Sequence, residues 1–294
     1  MPPVAARLSP PALPVSPASS SKFFPRRLVR RAVDRIAARL GFELIPAWRA
    51  KTLEQSRHLG SLLAKLQVDV ALDVGANVGG FRDLLRSHVG FKGRIISFEP
   101  VPEVYEVLTA AAGDDPLWQG ARIALGDGEG ELQMNITQRS TMSSFLARDE
   151  AMLRRHGYGH LLDVTEITRT EVVPLRTLDS MYDELFGARN NPRLFLKCDT
   201  QGYDLKVIAG AADTLRSVLA LQIELSIRPI YEGAPRYVEV LEHLSGLGFD
   251  VTGVFPVRRD ELSRIVNFDC VMVNSRHPFV QQLVATTVRG RTPG

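Results

Sequence analysis

The chain alternates between short apolar runs and longer segments of helical periodicity, and this alternation constrains its fold most. Apolar runs this continuous predict strands buried on both faces, as in a parallel sheet covered by helices. Strands that alternate with helices predict βαβ units and a doubly wound α/β fold. The predicted strands are Val70–Val74, Arg94–Phe98, Ala121–Leu125, Leu194–Cys198, Leu219–Leu225, Phe249–Val254 and Cys270–Val273. The predicted helices are Phe81–His88, Val104–Ala112, Leu205–Leu215 and Tyr237–Leu247.

Two further segments have the period of two that is typical of half-buried strands. Glu131–Thr137 and Glu166–Leu175 alternate apolar and polar residues, which predicts an extra antiparallel pair beside the main sheet. The whole pattern assigns residues 51–276 to one domain and leaves residues 277–294 as a C-terminal tail. No run of 18 apolar residues occurs, so no transmembrane helix is predicted.

The N-terminal residues differ in composition from the rest of the chain. Residues 1–22 are rich in Pro, Ala and Ser, which predicts a disordered tail. Residues 23–50 form a basic arm, in which residues 23–40 show the pattern of an amphipathic helix. Three interpretations stay open for it: peripheral contact with an anionic membrane, a helix packed on the domain, and an organellar transit segment.

The charge distribution argues against a nucleic-acid partner for the main domain. Residues 1–50 hold nine Lys or Arg against two acids, whereas the remaining residues hold 27 against 31. Phosphate binding needs clustered Lys and Arg, which a mildly acidic domain does not provide. Two cysteines in 294 residues do not make a disulfide framework, so we expect a reducing, cytoplasmic setting.

A glycine-rich turn, Asp73–Phe81, follows the first predicted strand and leads straight into a helix. Such a turn lets a ligand approach the backbone and points helix N–H groups at it. A dinucleotide requires G-x-G-x-x-G, whose second glycine lets the pyrophosphate reach the backbone. Here Asn77 would crowd a pyrophosphate, whereas S-adenosylmethionine carries no phosphate. We therefore predict an S-adenosylmethionine site at Asp73, Gly75, Ala76, Asn77 and Gly79, with the Asp73 carboxylate paired with the cofactor ammonium.

Two more acids follow the next predicted strands and are candidates for the same site. Glu99 ends the second strand, 24 residues beyond Gly75, where a carboxylate can accept hydrogen bonds from both ribose hydroxyls. Asp127 follows the third strand and is a candidate for the adenine amino group. Its flanking glycines leave the alternative of a plain turn residue open.

Asp199 and Glu224 are the candidate catalytic residues. Each is an acid at the end of an otherwise apolar strand, where an unpaired carboxylate is costly. Methyl transfer to a hydroxyl needs its proton removed, by a base or by a bound cation that lowers its pKa. The structural alternatives are a helix cap at Asp199 and a core salt bridge at Glu224.

At this point the motifs resemble the FkbM-type methyltransferases. The matching segments are Leu72–Gly79, Phe98–Pro100, Val173–Asp179, Leu196–Ala211, Ile223–Ser226 and Phe268–Val273. The resemblance implies a class I, Rossmann-like fold with a mostly parallel sheet, an antiparallel C-terminal strand and an extra β-hairpin, preceded here by the N-terminal helical arm. It also implies methyl transfer to the oxygen of sugar or polyketide hydroxyls, with a divalent cation such as magnesium in some members. Many members have glutamate at the position of Gln201, so no catalytic role is carried over to it.

The expected function is therefore an S-adenosylmethionine-dependent O-methyltransferase. Its acceptor is expected to be a hydroxyl of a sugar, a glycan, a lipid-linked sugar or a secondary metabolite. Two other functions stay open. One is a non-catalytic module that binds the cofactor or a membrane, and the other is a nicotinamide-dependent oxidoreductase, which Asn77 disfavours.

Overall fold

The computed structural model describes residues 37, 52–187 and 191–289. The chain divides into two compact units, residues 1–50 and residues 51–294, and the fold described below is that of the second. The predictions for the tail 1–22 and the arm 23–50, including membrane contact through residues 23–40, lie outside the described residues apart from Ala37. Among the helices described, none is long and apolar enough to cross a membrane.

Seven strands form the central sheet, in the order β3-β2-β1-β7-β8-β10-β9. The sheet is parallel except for β10, which runs antiparallel to both of its neighbours. This confirms the predicted mostly parallel sheet with an antiparallel C-terminal strand. The strands among the described residues are β1 Val70–Val74, β2 Arg94–Phe98, β3 Trp118–Ala121, β4 Ala124–Leu125, β5 Gly130–Thr137, β6 Ile167–Arg176, β7 Leu194–Cys198, β8 Val218–Ser226, β9 Phe249–Arg259 and β10 Ile265–Asn274.

A smaller sheet of three strands has the order β4-β6-β5. The antiparallel pairing of β5 with β6 confirms the predicted extra pair. One predicted strand, Ala121–Leu125, is split between the two sheets. Its first part pairs with β2 as the end of β3, and its second part pairs with β6 as β4. The chain changes sheets at residues 122–123, and a local apolar pattern does not record such a change.

Helices cover both faces of the main sheet. They are α1 Leu53–Lys65, α2 Gly80–Asp83 continued by a π-helical turn Leu84–Val89, α3 Pro102–Ala112, α4 Glu150–Arg155, α5 Tyr182–Phe186, α6 Asp204–Ala209, α7 Tyr237–Gly246 and α8 Pro278–Arg289. Short 3₁₀ segments lie at Ser140–Met142, Gly159–Leu161 and Thr214–Arg216. The predicted helix 205–215 ends at Ala209, and the following Gly210 packs against the carbonyl of Gly126, where any Cβ would collide. The segment predicted as a tail contains α8, whose Val280 is buried in the core.

Residues of one strand alternate between two apolar cores, one on each face of the sheet. On β1, Leu72 packs in the core that includes residues of α5, α6 and α7, and Ala71 packs in the core that includes residues of α1, α2 and α8. Burial on both faces is the reason that these strands consist of continuous apolar runs. Because β1, β2 and β7 are parallel neighbours, their carboxyl ends meet at one edge of the sheet, where ligands bind in folds of this kind.

Candidate active site

A crevice opens where β1, β2 and β7 end, and the carboxylate of Glu99 lies in its wall. Glu99 is 5% exposed, and its two oxygens accept the backbone N–H groups of Asn77 at 2.9 Å and Val101 at 3.0 Å. Burial raises the pKa of Glu99 to about 7, although these two hydrogen bonds favour the charged form. The structure therefore holds this carboxylate rigidly at the place predicted for the ribose contact.

The glycine-rich turn packs directly against the end of β7. Gly75 has φ +72°, and a Cβ on it would collide with the carbonyl oxygen of Asp199. Asn77 also has a positive φ, +47°, and its Oδ1 accepts the N–H of Val78 at 2.9 Å. Gly75 and Asn77 line the crevice. Ala76 is buried, and Gly79 caps helix α2, so these two predicted residues shape the turn and neither is among the residues that line the crevice.

The electrostatic character of the crevice suits a cation without phosphates. Neither Lys nor Arg occurs among the described residues that line it, and its ionisable side chains are Glu99 and Asp199. Apolar walls complete a space of about 680 Å³, counted with its open mouth. S-adenosylmethionine fits these features, because it carries a sulfonium and an ammonium, an apolar adenine face and a ribose diol. The apolar walls are Val74, Phe98, Pro100, Val101, Val104, Ile123, Ala124, Leu125, Met134 and Phe145.

Asp73 has a different partner from the one predicted. It is fully buried and is not among the described residues lining the crevice. The β1–β7 ladder pairs it with Lys197, whose Nζ lies 3.2 Å from its Oδ1, and Ser97 on β2 is its neighbour on the other side. The carboxylate is thus the counter-ion of a buried lysine, and its pairing with the cofactor ammonium stays a prediction.

Lys197 is the residue of this site to which the sequence analysis gave no role. Its Nζ donates to the carbonyl of Gly75 at 3.1 Å and lies 3.6 Å from Oδ2 of Asp199. Burial works against the ammonium, but the charges of Asp73 and Asp199 outweigh it and raise the pKa of Lys197. One side chain therefore links β1, the turn and Asp199. A lysine inside an apolar strand was the available signal, because buried lysines need partners.

Asp127 lies outside the crevice. Its carboxylate accepts a hydrogen bond from Lys206 Nζ at 2.7 Å, and this bond is the main reason that its pKa lies below the usual range. Among the described residues that line the crevice, Asp127 is absent. Asp127 thus forms an ion pair between the turn after β4 and helix α6, and its contact with the adenine amino group stays a prediction.

The two predicted catalytic acids, Asp199 and Glu224, are brought together by an amide. Nε2 of Gln201 donates to Asp199 Oδ1 at 2.9 Å and to Glu224 Oε2 at 3.0 Å. The hydroxyl of Tyr231 lies 2.8 Å from the carbonyl oxygen of Met142 and 3.1 Å from Gln201 Oε1. Asn267 donates to the other Glu224 oxygen at 2.6 Å. Every carboxylate oxygen that faces Gln201 thus meets an N–H donor.

Neither structural alternative for these two acids appears among the described contacts. Asp204, rather than Asp199, accepts the backbone N–H groups of Thr200 at 3.0 Å and Gly202 at 3.3 Å before helix α6. Glu224 forms no salt bridge with a described residue, and amides hold its oxygens instead. Burial and then the charge of Asp199 raise the pKa of Glu224 well above its ordinary value. Such a carboxylate is a stronger base than an exposed one.

A second cavity adjoins the crevice, and Thr141, Asp199 and Gln201 line both spaces. It measures about 970 Å³ by the same count, and Glu224 lies in its wall. The carboxylate of Asp199 therefore lies at the junction of the two spaces. The other residues that line the second cavity have both apolar and polar side chains, and they are Arg139, Met142, Ser226, Ile230, Val257, Arg258, Val266 and Asn267.

The Methyltransferase FkbM domain family matches residues 73–251, which is more than half of the chain and includes the turn, Glu99, Asp199 and Glu224. The chain belongs to this family. Together with the observed strand order, the family confirms the class I, S-adenosylmethionine-dependent methyltransferase fold predicted from the sequence. An FkbM domain gives no support to the nicotinamide-dependent alternative.

Solved methyltransferase structures resemble this FkbM-family chain at low similarity. An rRNA methylase from Streptococcus thermophilus is 11% identical, with 75% of this chain and 94% of that chain covered and a TM-score of 0.40. A SAM dependent methyltransferase from Aquifex aeolicus is 13% identical, with 86% of this chain and 100% of that chain covered and a TM-score of 0.37. Magnesium protoporphyrin IX methyltransferase from Synechocystis is 10% identical, with 87% of this chain and 100% of that chain covered and a TM-score of 0.38. No curated protein matches the chain. Similarity at this level assigns no substrate.

The donor set of this FkbM-family site does not fit the magnesium ion that was considered from the sequence. A divalent cation of this kind needs several oxygen ligands. Between Asp199 and Glu224, however, the Gln201 amide directs its N–H groups at both carboxylates. The described residues contain no group of three or more His, Cys, Asp or Glu placed to hold a metal. The amide donor therefore occupies the position in which a bridging cation would bind.

Proposed function

We propose that this FkbM-family methyltransferase transfers the methyl group of S-adenosylmethionine to a hydroxyl oxygen of a small-molecule or glycan acceptor. The observation that carries this proposal is the position of Asp199, which lines both the crevice and the adjoining cavity. We assign the crevice to the cofactor and the cavity to the acceptor. A carboxylate at their junction is placed beside both reactants, and placement supplies much of the acceleration of such a displacement.

The chemistry requires an acceptor oxygen that loses its proton as it gains a methyl group. When bound, S-adenosylmethionine supplies an electrophilic methyl carbon, whose bond to sulfur breaks as the oxygen–carbon bond forms. Glu224 in its ionised form takes the hydroxyl proton, because burial raises its pKa and makes this carboxylate more basic than an exposed one. Asp199 orients the hydroxyl, and its negative charge favours the positive charge of the cofactor.

The surrounding residues keep both carboxylates in position for this reaction. Gln201 and Asn267 hold the two oxygens of Glu224, and Lys197 lies beside Asp199. None of these neighbours has to move for the proton to transfer. Such preorganised donors are the usual source of electrostatic stabilisation in enzymes.

Sugars, glycans, lipid-linked sugars and hydroxylated secondary metabolites are the acceptor classes that we propose. A cavity with hydroxyl and amide groups beside apolar walls suits molecules of mixed polarity, since Ser226 and Asn267 face it together with Ile230 and Val266. We place the reaction in the cytoplasm, in keeping with two free, buried cysteines.

The test separates cofactor binding from methyl transfer. Calorimetry with S-adenosylmethionine is expected to show binding to the wild type, loss of binding for Glu99→Ala and unchanged binding for Asp127→Ala. Transfer of labelled methyl groups to a metabolite and glycan extract is expected to fall at least 100-fold in Asp199→Asn and Glu224→Gln, the lower end of what proton transfer contributes. Wild-type transfer by both variants would refute the catalytic assignment, and wild-type binding by Glu99→Ala would refute the cofactor site.

A further inference from the structure

Two arginines line the acceptor cavity, and neither has an anionic partner among the described residues. Arg139 precedes the 3₁₀ segment Ser140–Met142, and Arg258 lies near the end of β9. Neither guanidinium forms an ion pair or a side-chain hydrogen bond with a described residue. By comparison, the neighbouring Arg259 donates to the carbonyl of Ser263 at 2.8 Å and is not among the described residues of the cavity wall.

The sheet places Arg258 close to the candidate catalytic base. Ser226, Asn267 and Arg258 are register partners across β8, β10 and β9, and all three line the cavity. Asn267 donates a hydrogen bond to Glu224, and Arg258 is the register partner of Asn267 on β9. Its charge also reaches the phenol of Tyr231, where it opposes the rise in pKa that burial causes.

Arg139 approaches the cavity on a fixed stretch of backbone. Its carbonyl accepts the hydroxyl of Thr137 and the N–H of Met142, both at 2.8 Å. Two residues further on, Thr141 lines both the cofactor crevice and the acceptor cavity. The segment that carries Arg139 is therefore part of the wall between the two sites, and its position is set by local hydrogen bonds.

The charges of this cavity are consequently divided. Carboxylates lie at the junction with the crevice, and guanidinium groups lie on two other parts of the wall. A neutral acceptor would bind in the cavity without meeting either arginine's preference for an anion. A carboxylate or phosphate forms paired, charge-assisted hydrogen bonds with the planar guanidinium group. Such a group cannot face Asp199 and Glu224, so it determines which end of the acceptor presents its hydroxyl.

We propose that the acceptor is an anionic hydroxyl compound whose carboxylate or phosphate pairs with Arg139 and Arg258 while its hydroxyl faces Asp199 and Glu224. This inference rests on the proposed methyl transfer and adds the charge class of the substrate to it. The arginines select and orient the acceptor, whereas the carboxylates act on the hydroxyl.

The charge of the labelled product tests the inference directly. The purified chain is incubated with methyl-labelled S-adenosylmethionine and a small-molecule and glycan extract, and the products are separated by anion exchange at pH 7. Label retained on the exchanger is expected, and phosphatase treatment then separates phosphate-bearing from carboxylate-bearing acceptors. After cation exchange has removed unreacted S-adenosylmethionine, labelled product in the neutral fraction would overturn the inference and leave the methyl transfer intact. Label in no fraction would overturn both.

Variants locate the anion contact. With the retained acceptor fraction, Arg258→Gln and Arg139→Gln are each expected to raise the apparent KM about 10- to 100-fold, as expected for a hydrogen bond to a charged group. The same variants should leave the affinity for S-adenosylmethionine within about twofold, since neither arginine lines the crevice. Arg259→Gln is the matched control and should behave as the wild type. A wild-type KM in both cavity variants would overturn the proposal.

Discussion

Variants of the buried pair Asp73 and Lys197 test whether Asp73 binds the cofactor or supports the glycine-rich turn. Lys197→Met removes the ammonium and keeps most of the apolar stem. It leaves a fully buried Asp73 carboxylate without its cation and the carbonyl of Gly75 without the Nζ donor. Asp73→Asn is milder, because Lys197 still lies 3.6 Å from Asp199 and still donates to Gly75.

These contacts set the expected free energies of unfolding. Loss of one partner of a buried ion pair costs about 3–5 kcal/mol, and we expect this cost for Lys197→Met. Asp73→Asn leaves one buried group less well paired and is expected to cost about 1–3 kcal/mol. The double variant contains neither charge, so its cost should be smaller than the sum of the two by about 1–3 kcal/mol.

The assay is urea unfolding of the four proteins at pH 7, followed by circular dichroism, with calorimetric titration of S-adenosylmethionine into the same samples. Since Asp73 is not among the crevice residues, Asp73→Asn should keep its affinity for the cofactor within about threefold. A lost charged contact would instead weaken binding about 10-fold or more. Glu99→Gln is the matched comparison, because that carboxylate does line the crevice.

Two results would refute this reasoning. Additive costs in the double variant would show that the two side chains do not interact. A loss of cofactor affinity of 10-fold or more in Asp73→Asn, at an unchanged free energy of unfolding, would restore the direct contact with the cofactor ammonium that the sequence analysis predicted.

Three further predictions follow from the geometry of the site. Gln201→Glu places a third carboxylate between Asp199 and Glu224, so this variant should bind Mn²⁺ by calorimetry with micromolar affinity; equal Mn²⁺ binding by the wild type would contradict the role of the amide. The affinity for S-adenosylmethionine should rise with pH up to about 7 and then level off, because the ionised Glu99 is the form that accepts the ribose hydroxyls. A flat affinity profile would exclude Glu99 from this contact. The raised pKa of Glu99 also means that the free energy of unfolding falls as the pH rises from about 4.5 to about 7, because the unfolded state binds fewer protons than the folded state in this range. Gly75→Ala should destabilise the protein by more than about 2 kcal/mol, since its positive φ is strained for alanine and its Cβ meets a carbonyl oxygen. Gly80→Ala, where a Cβ meets open space inside a helix, is the control and should be neutral or stabilising by urea unfolding.

Local sequence patterns were sufficient to determine the strands and the turn of the cofactor crevice. Continuous apolar runs located β1, β2, β7 and β8, because strands buried on both faces consist mostly of apolar residues. The glycine pattern after β1 located the turn, since only glycine tolerates the backbone of Gly75 and its contact with Asp199. Glu99 was found at the end of its strand because ligands in this fold class bind at the carboxyl edge of the sheet.

The partners of the charged residues were decided by tertiary structure. Asp73 and Lys197 are 124 residues apart in the chain, and they pair because β1 and β7 are neighbours in register. Gln201 bridges Asp199 and Glu224 only because β7 and β8 are adjacent and because the backbone at Gln201 adopts φ +53°. Asp127 follows β4, the part of the predicted strand Ala121–Leu125 that pairs in the smaller sheet, and it therefore lies beside Lys206. The apolar pattern of a segment predicts which of its residues are buried. The partner of a buried charge depends instead on which strands are adjacent in the sheet.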